Sequence, residues 1–167
     1  LPFITDEDHA YAMSHVMQRV ADAMVAEGVP FTGVLYGGLM KTPQGIKVIE
    51  FNARFGDPET EVVLPRLKSD AVDAFMAVAM GEQPSTEWYD VATLGIVLAS
   101  KGYPGSYDKG FAIRGTESVE SKIYHMGTAM RAGELVTSGG RVMIVVASAP
   151  TLAEAQRKTR ADMATIE

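Results

Sequence analysis

The spacing of apolar and polar positions predicts two helices and a hairpin in the first half of the chain. Between Thr5 and Glu27, apolar residues recur at intervals of three and four, which predicts an amphipathic helix ending near Gly28. Two β-rich runs, FTGVLYGGLM and IKVIEFNARF, flank the short turn KTPQG and predict an antiparallel hairpin. A second helix is predicted over AVDAFMAVAM, just before Gly81.

From residue 92 onward the pattern becomes one of strands separated by turn-rich loops. Strands are predicted over ATLGIVLAS, SKIYHMGTAM and RVMIVVASA, and loops over GYPGSYDKG and AGELVTSGG. A closing helix is predicted over TLAEAQRKTRADMATI, with Thr151 as N-cap and Glu154 at the capping-box position. The polar segment GEQPSTEWYD suggests a linker, so we predict domains at 1–83 and 92–167 joined by residues 84–91. The predicted class is α+β: an antiparallel sheet with helices, then a small antiparallel β-domain with a closing helix.

Composition narrows the classes of function. The chain is 47% hydrophobic and 22% charged, which is typical of a globular protein with a buried core. With 15 Lys and Arg against 21 Asp and Glu, it lacks the clustered positive charge that nucleic-acid binding requires. The absence of cysteine excludes disulfides and thiolate nucleophiles. No run approaches the ~20 apolar residues of a membrane span. We therefore expect a cytoplasmic protein with neither nucleic-acid nor membrane partners.

The stretch KVIEFNARFGDPETE, residues 47–61, carries polar groups at alternate positions of a predicted strand. Because strand residues alternate faces, Glu50, Asn52 and Arg54 should share one face at intervals of about 7 Å. The opposite face should point towards a core and carries Ile49, Phe51, Ala53 and Phe55.

These residue types suit a metal and a phosphate. Mg²⁺ prefers oxygen ligands such as a Glu carboxylate and an Asn amide, and the Arg54 guanidinium can grip a phosphoryl or carboxylate oxygen. Gly56 permits a turn, and Asp57 and Pro58 are predicted to cap and begin a helix whose first N–H groups favour an anion. Two alternatives remain: a simple Glu50–Arg54 pair on a solvated edge strand, and Asp57 as a helix cap, which is a better interpretation than a catalytic acid.

The run GVLYGGLMKTPQGIKVIEFNARFGDPETEVVLPRLKSD resembles the C-terminal part of the ATP-grasp domain of the phosphoribosylamine–glycine ligase family, also called glycinamide ribonucleotide synthetases. The motif EFNARFGDPET is specific to that family; related ATP-grasp enzymes share only the Glu-x-Asn-x-Arg portion. The stretches LGIVLASKGYPGSY, IYHMGTAM and TSGGRVMIVVASAPTLAEAQ resemble the family's C-terminal domain. The resemblance covers nearly the whole chain.

The resemblance implies that Glu50 and Asn52 are Mg²⁺ or Mn²⁺ ligands and that Arg54 is a catalytic and ATP-binding residue near the transferring phosphate. It implies ligation of glycine to 5-phosphoribosylamine with ATP as co-substrate, through a glycyl phosphate, in purine biosynthesis. The family's N-terminal part is missing, so we expect a fragment that is inactive alone and exposes apolar residues such as Val34, Leu35 or Phe51. The alternatives are another ATP-grasp ligase or carboxylase, or a folded piece that serves only for docking.

Several further residues are candidates of lower rank. Gly56, Asp57, Pro58 and Glu59 are candidate substrate-binding residues, as are Lys101 and Tyr103 in the loop KGYPGSYDKG. Glycine-rich loops can bring N–H groups close to a phosphate, but this loop could equally be a surface connection. His125 is interpreted as a structural, hydrogen-bonded histidine. The methionines, ten in all, are interpreted as core-filling residues.

Overall fold

A computed structural model describes residues 4–167, which form two compact units. The first unit comprises the described residues up to Gly56 together with Ala71–Ser85. The second comprises Asp57–Asp70 and Thr86–Glu167. The boundaries predicted from sequence, with a linker at 84–91, stay a prediction; by contacts, Asp57–Asp70 packs within the second unit.

The first unit begins with one long helical stretch that is α-helical at both ends and π-helical in the middle. It consists of α1 (Asp6–Tyr11), a π-helical segment (Ala12–Met17) and α2 (Gln18–Ala26). The prediction of a helix ending near Gly28 is confirmed, but the uniform α-helical period is not. The Ser14 hydroxyl donates to the Ala10 carbonyl oxygen at 2.7 Å, and the Gln18 N–H donates to Met13, five residues back. A serine that competes for a backbone carbonyl is a known cause of such irregularity.

A capping box closes the start of this helical stretch. The Thr5 hydroxyl accepts from the Asp8 N–H, and the Asp8 carboxylate accepts from the Thr5 N–H at 2.9 Å. Asp8 also pairs with Lys41 of the hairpin in the same unit. The helix start is therefore joined to the sheet by one side chain.

The predicted hairpin is present as β1 (Tyr36–Thr42) and β2 (Gly45–Asn52), paired antiparallel. The register shifts between the pairs Gly38–Glu50 and Leu39–Val48, which leaves Ile49 as an extra residue and marks a bulge in β2 next to Glu50. The helix α4 (Ala71–Ala79) completes the unit, as predicted, and the Phe75 ring lies 5.7 Å from that of Phe55.

The expectation of a core under β2 is wrong for the described chain. Ile49 is 63% exposed, and Phe51 and Phe55 are each 37% exposed. Of the apolar residues expected at the surface, Phe51 is exposed and Val34 and Leu35 are half-buried. The methionine interpretation holds only in part: Met143 is fully buried, but Met13, Met40, Met76, Met80 and Met130 are exposed. In the described part of this unit, many large apolar side chains are exposed.

The second unit is built on a three-stranded antiparallel sheet of β3 (Ala92–Ala99), β7 (Arg141–Ala149) and β4 (Lys122–His125), with β7 in the centre. The closing helix α5 (Leu152–Met163) packs against β3 and β7 and is capped by Thr151, whose hydroxyl accepts from the Glu154 N–H. Thr159 of α5 is fully buried, and its hydroxyl donates to the carbonyl oxygens of Leu94 and Ala155.

Two strand predictions in this unit need correction. The run SKIYHMGTAM is not one strand but β4 followed by β5 (Thr128–Arg131), because Gly127 approaches Gly139 closely and the chain turns there. The stretch AGELVTSGG is not only a loop, since it contains β6 (Glu134–Thr137), which pairs with β5. The short segments α3 (Thr60–Val63) and the 3₁₀ turn Leu64–Arg66 complete the unit, along with a second 3₁₀ turn at Thr116–Ser118. The overall mixture of helices and antiparallel sheet confirms the predicted α+β class.

Candidate functional site

The end of β2 brings together the two residues predicted to bind a metal. The Asn52 side-chain N–H donates to the Glu50 Oε1 at 2.9 Å, so the two groups share one face of the strand, as the alternation predicted. Gly38 lies opposite Glu50, and a Cβ there would stand 3.2 Å from the Glu50 Cγ. The glycine thus leaves room for the glutamate side chain.

Arg54 lies beyond the last strand residue, Asn52, which corrects the prediction that it belongs to the same strand. Its guanidinium donates to the carbonyl oxygen of Phe55 at 2.7 Å. The edge-strand alternative, in which Glu50 pairs with Arg54, also finds no support, since Glu50 accepts from Asn52 and Arg54 donates to Phe55. Arg54 is exposed.

The donor pair fits a hard divalent cation. The exposed Glu50 carboxylate and the half-buried Asn52 amide lie side by side and supply the oxygen types that Mg²⁺ takes from proteins, where water and substrate phosphates complete the shell. In this arrangement the amide nitrogen of Asn52, rather than its oxygen, faces Glu50. A shared cation would require the amide to turn over. Within residues 4–167, no three His, Cys, Asp or Glu side chains gather at one point.

Asp57 and its neighbours do not begin a helix. Residues 57–59 form a turn, and α3 begins at Thr60 with Glu59 at the N-cap position and no side-chain cap bond. The prediction of Asp57 as cap and Pro58 as first helical residue is therefore wrong. The physical reason is that Asp57 is engaged elsewhere. The Arg141 guanidinium donates to the Asp57 carbonyl oxygen and to its carboxylate Oδ1, both at 2.9 Å.

The loop of residues 101–110 is folded on itself. The N–H groups of Tyr103, Gly105 and Gly110 donate to the carbonyl oxygens of Ser100, Gly102 and Thr137. Since these three amides already have partners, they are not available to surround a phosphate. Lys101 is exposed and lines a cavity of about 350 Å³ whose wall is largely apolar, including Phe111, Ile113 and Met143.

Tyr103 of this loop packs against the turn that precedes β7. A Cβ at Gly140 would lie 2.3 Å from the Tyr103 Cδ2, so only glycine allows the ring to sit there. The Tyr107 ring packs edge-on against Tyr103, with centroids 6.2 Å apart. Because Arg141 follows Gly140, two substrate-binding candidates that are far apart in sequence, Asp57 and Tyr103, contact adjacent residues of one turn.

Sequence reasoning missed Gly140 and Arg141. The signal that could have found them was the pair of glycines at 139–140 directly before a strongly apolar strand that starts with an arginine. His125 behaves as interpreted, since its Nδ1 is 3.0 Å from the Thr128 hydroxyl, although its side chain is exposed.

Two carboxyl groups outside these residues have shifted pKa values. Hydrogen bonds from Lys41 and Thr5 lower the pKa of Asp8 to about 2. For Asp162, burial raises the pKa, but hydrogen bonds from Ser121 and the Glu120 backbone outweigh it, so the net direction is downward. Both groups hold structural positions at helix ends. Separately, none of the helices in residues 4–167 has the length and apolar content needed to cross a membrane.

Comparisons with known proteins define the class. Residues 1–60 match the family model described as phosphoribosylglycinamide synthetase, ATP-grasp (A) domain. Residues 93–167 match the model of the C domain of the same synthetase. An ATP-grasp segment that carries the Glu50–Asn52 pair is thus followed by the C domain that carries Arg141. The chain belongs to the phosphoribosylglycinamide synthetase family.

Individual relatives agree. The phosphoribosylamine–glycine ligase of Halalkalibacterium halodurans is 51% identical over 158 residues, which cover 93% of this chain and 37% of that protein. The enzyme of the same name from Escherichia coli O6:H1 is 45% identical over 99% of this chain and 40% of its own length. The crystal structure of the Thermotoga maritima phosphoribosylamine–glycine ligase superimposes with a TM-score of 0.87 at 30% identity, over 100% of this chain and 42% of that one. The chain therefore spans about two fifths of the length of these relatives.

Proposed function

We propose that this chain is a portion of an ATP-dependent ligase that joins glycine to 5-phosphoribosylamine, yielding glycinamide ribonucleotide, ADP and phosphate. The observation that carries the proposal is the contact between Asn52 and Glu50 at the end of β2, inside the segment matched by the ATP-grasp model. The names of the relatives supply the reaction. The proposal includes a cytoplasmic location and a role in purine biosynthesis.

In this proposal Glu50 and Asn52 hold Mg²⁺ or Mn²⁺. The bound cation would neutralise charge on the polyphosphate of ATP. Arg54, exposed just beyond the strand, would turn its guanidinium from the Phe55 carbonyl towards the transferring phosphoryl oxygens.

The reaction itself proceeds by two displacements. A carboxylate oxygen of glycine attacks the γ-phosphorus of ATP, ADP leaves, and glycyl phosphate forms. The amine of phosphoribosylamine then attacks the carbonyl carbon, phosphate leaves, and the nitrogen releases one proton. No protein nucleophile is required, which fits a chain without cysteine.

In this proposal the other candidate residues contact the substrates. Gly56, Asp57, Pro58 and Glu59 lie four to seven residues after the end of β2 at Asn52, and Lys101 and Tyr103 lie in the loop that follows β3. Asp57 and Tyr103 are supported by their contacts with two consecutive residues, Arg141 at the start of β7 and Gly140 just before it. Lys101 has weaker support, because the cavity it lines is mostly apolar.

The test uses the complete polypeptide that carries this chain and measures ADP release with and without glycine and phosphoribosylamine. We expect release to require both substrates and to be lost in Glu50→Ala and Asn52→Ala. Val48→Ala, at an exposed position on the opposite face of β2, is the matched control and should keep its activity. Near-normal turnover in both site variants would exclude the metal assignment. Release that is indifferent to glycine would instead favour another ATP-grasp ligase or carboxylase.

A second measurement concerns the chain by itself. Because it spans about two fifths of its relatives, we expect the 167-residue chain alone to show no glycine-dependent release of ADP. Glycine-dependent turnover by the isolated chain would contradict this and would place the nucleotide site within these residues. If the isolated chain is folded but releases no ADP, the result agrees with our expectation that the fragment is inactive alone.

A further inference from the structure

We infer that Arg141 is a positioning residue for the ligase reaction: it holds Asp57, and with it the turn of residues 57–59, in the geometry that substrate binding requires. This inference rests on the proposed function, because it takes Asp57 as a substrate contact. Arg141 belongs to no motif of the ATP-grasp segment and lies 84 positions further along the chain.

The geometry of the contact is that of a clamp on both backbone and side chain. One guanidinium nitrogen of Arg141 donates to the Asp57 carbonyl oxygen and to its Oδ1, each at 2.9 Å, and the other lies 3.4 Å from Oδ2. A planar guanidinium with several donors can hold the two acceptors at a fixed separation. The contact therefore fixes the orientation of both the Asp57 backbone carbonyl and its side-chain carboxylate.

The surroundings explain why this arginine can act as an anchor. Arg141 is the first residue of β7, whose next residues Val142, Met143 and Ile144 are buried. The backbone of Arg141 is therefore held by the buried central strand of the unit, while its side chain is 36% exposed. Helix α3, which follows residues 57–59, has no side-chain cap bond, so the Arg141 guanidinium supplies the side-chain hydrogen bonds at this turn.

Residues 139–141, which include Arg141, also contact the second substrate-binding candidate, Tyr103. Gly140 receives the Tyr103 ring, and the Ser100 hydroxyl donates to the Gly139 carbonyl oxygen at 2.8 Å. The segment of residues 139–141 is thus the common support of Asp57 and of the loop that carries Tyr103. A residue that supports substrate contacts without touching substrate acts through geometry, where small misplacement has a large effect on rate.

The first experiment compares Arg141→Met with the unsubstituted complete enzyme. We expect kcat/KM for glycine and for phosphoribosylamine to fall by about 10- to 100-fold, with the KM for ATP unchanged. Arg141→Lys should give intermediate values, since one ammonium can meet the carboxylate but not both acceptors. Lys68→Met is the matched control: it breaks the 2.9 Å ion pair with Glu87 in the same unit and should leave kinetics unchanged.

The second experiment is a double-mutant cycle with Asp57→Asn. If Arg141 acts through Asp57, Arg141→Met should cause little further loss in the Asp57→Asn background. Losses that multiply would overturn the inference, because Arg141 would then act independently of Asp57. Wild-type kinetics in Arg141→Met, or an equal loss in Lys68→Met, would also overturn it.

The result for the unsubstituted enzyme separates this inference from the proposed function. If that enzyme shows no glycine-dependent release of ADP, the proposed function itself fails and the assignment of Arg141 fails with it. If it does show such release while Arg141→Met is unaffected, only the inference about Arg141 fails.

Discussion

The two compact units differ in where they keep their apolar side chains. In the second unit, β7 alone contributes Met143, Ile144 and Val145, each at most 1% exposed. In the described part of the first unit, β2 carries Val48 and Ile49 at 46% and 63% exposure. Strands of similar composition thus have different surroundings. The central strand stabilises its own unit, whereas the hairpin strand presents its residues, including Glu50, to the outside.

The difference predicts that stability and activity respond to substitutions in different places. Changes in β7 should lower the free energy of unfolding, and changes in β2 should alter chemistry with little effect on folding. A matched pair of methionines, a threonine and an aspartate allow that contrast to be tested.

The largest expected effect is from Met143→Ala. Met143 is fully buried in β7, and removing its side chain leaves a cavity, so we expect a loss of about 2–5 kcal/mol in unfolding free energy. Met40 of β1 is 54% exposed, and Met40→Ala should change it by less than about 0.5 kcal/mol. Urea denaturation of the chain measures both. Equal losses would show that the two strands are packed alike.

An intermediate effect is expected from Thr159→Val. The Thr159 side chain is fully buried, and losing its hydroxyl removes hydrogen bonds to Leu94 and Ala155, at a cost of about 1–2 kcal/mol. Thr159→Ser keeps the hydroxyl and should lose only the contribution of a methyl group. A larger loss in the serine variant would mean that packing, not hydrogen bonding, governs this position.

The smallest effect is expected at Asp8 and depends on pH. Its pKa is lowered from 3.8 to about 2 in the folded chain, because the carboxylate accepts hydrogen bonds from Lys41 and Thr5. The folded state therefore favours the ionised form, and the resulting stability is present above the unfolded pKa and is lost as the pH falls through about 2. Asp8→Asn should lower the urea midpoint at pH 7, with the gap to wild type closing as the pH approaches 2.

Glu7→Gln is the control for that experiment, since Glu7 lies in the same helical turn. A gap for Asp8→Asn that is independent of pH would indicate a loss of geometry rather than of charge.

The helices and strands whose apolar residues recur at regular spacing were predicted well from the sequence. The hairpin, α4, β3, β7 and α5 with its Thr151 cap are all present. The π-helical segment, which contains the Ser14 hydroxyl bonded to the Ala10 carbonyl oxygen, was missed because it leaves the apolar spacing unchanged. The strand β6 was missed because its neighbours are turn residues, and it gains its structure by pairing with β5.

The candidate site was predictable only in its local part. Glu50 and Asn52 meet because they are two residues apart on one strand, which alternation alone reveals. Asp57 was assigned as a helix cap because its sequence context favours one, but the Arg141 guanidinium, distant in the chain, takes its carboxylate instead. Such a tertiary contact has no signature in the local pattern. The roles of Arg54, Lys101 and Tyr103 remain predictions for the kinetic experiments.

The order of the segments within the two units has a practical consequence for dissecting the protein. Because Asp57–Asp70 packs within the second unit while Ala71–Ser85 returns to the first, the boundary is crossed at three points of the chain. Cutting the gene once, at the polar segment after α4, would leave α3 on the wrong piece and strip β3 and β7 of a packing partner. Separate expression of the second unit would require residues 57–70 to be rejoined through a new linker, with Asp57 kept as the partner of Arg141.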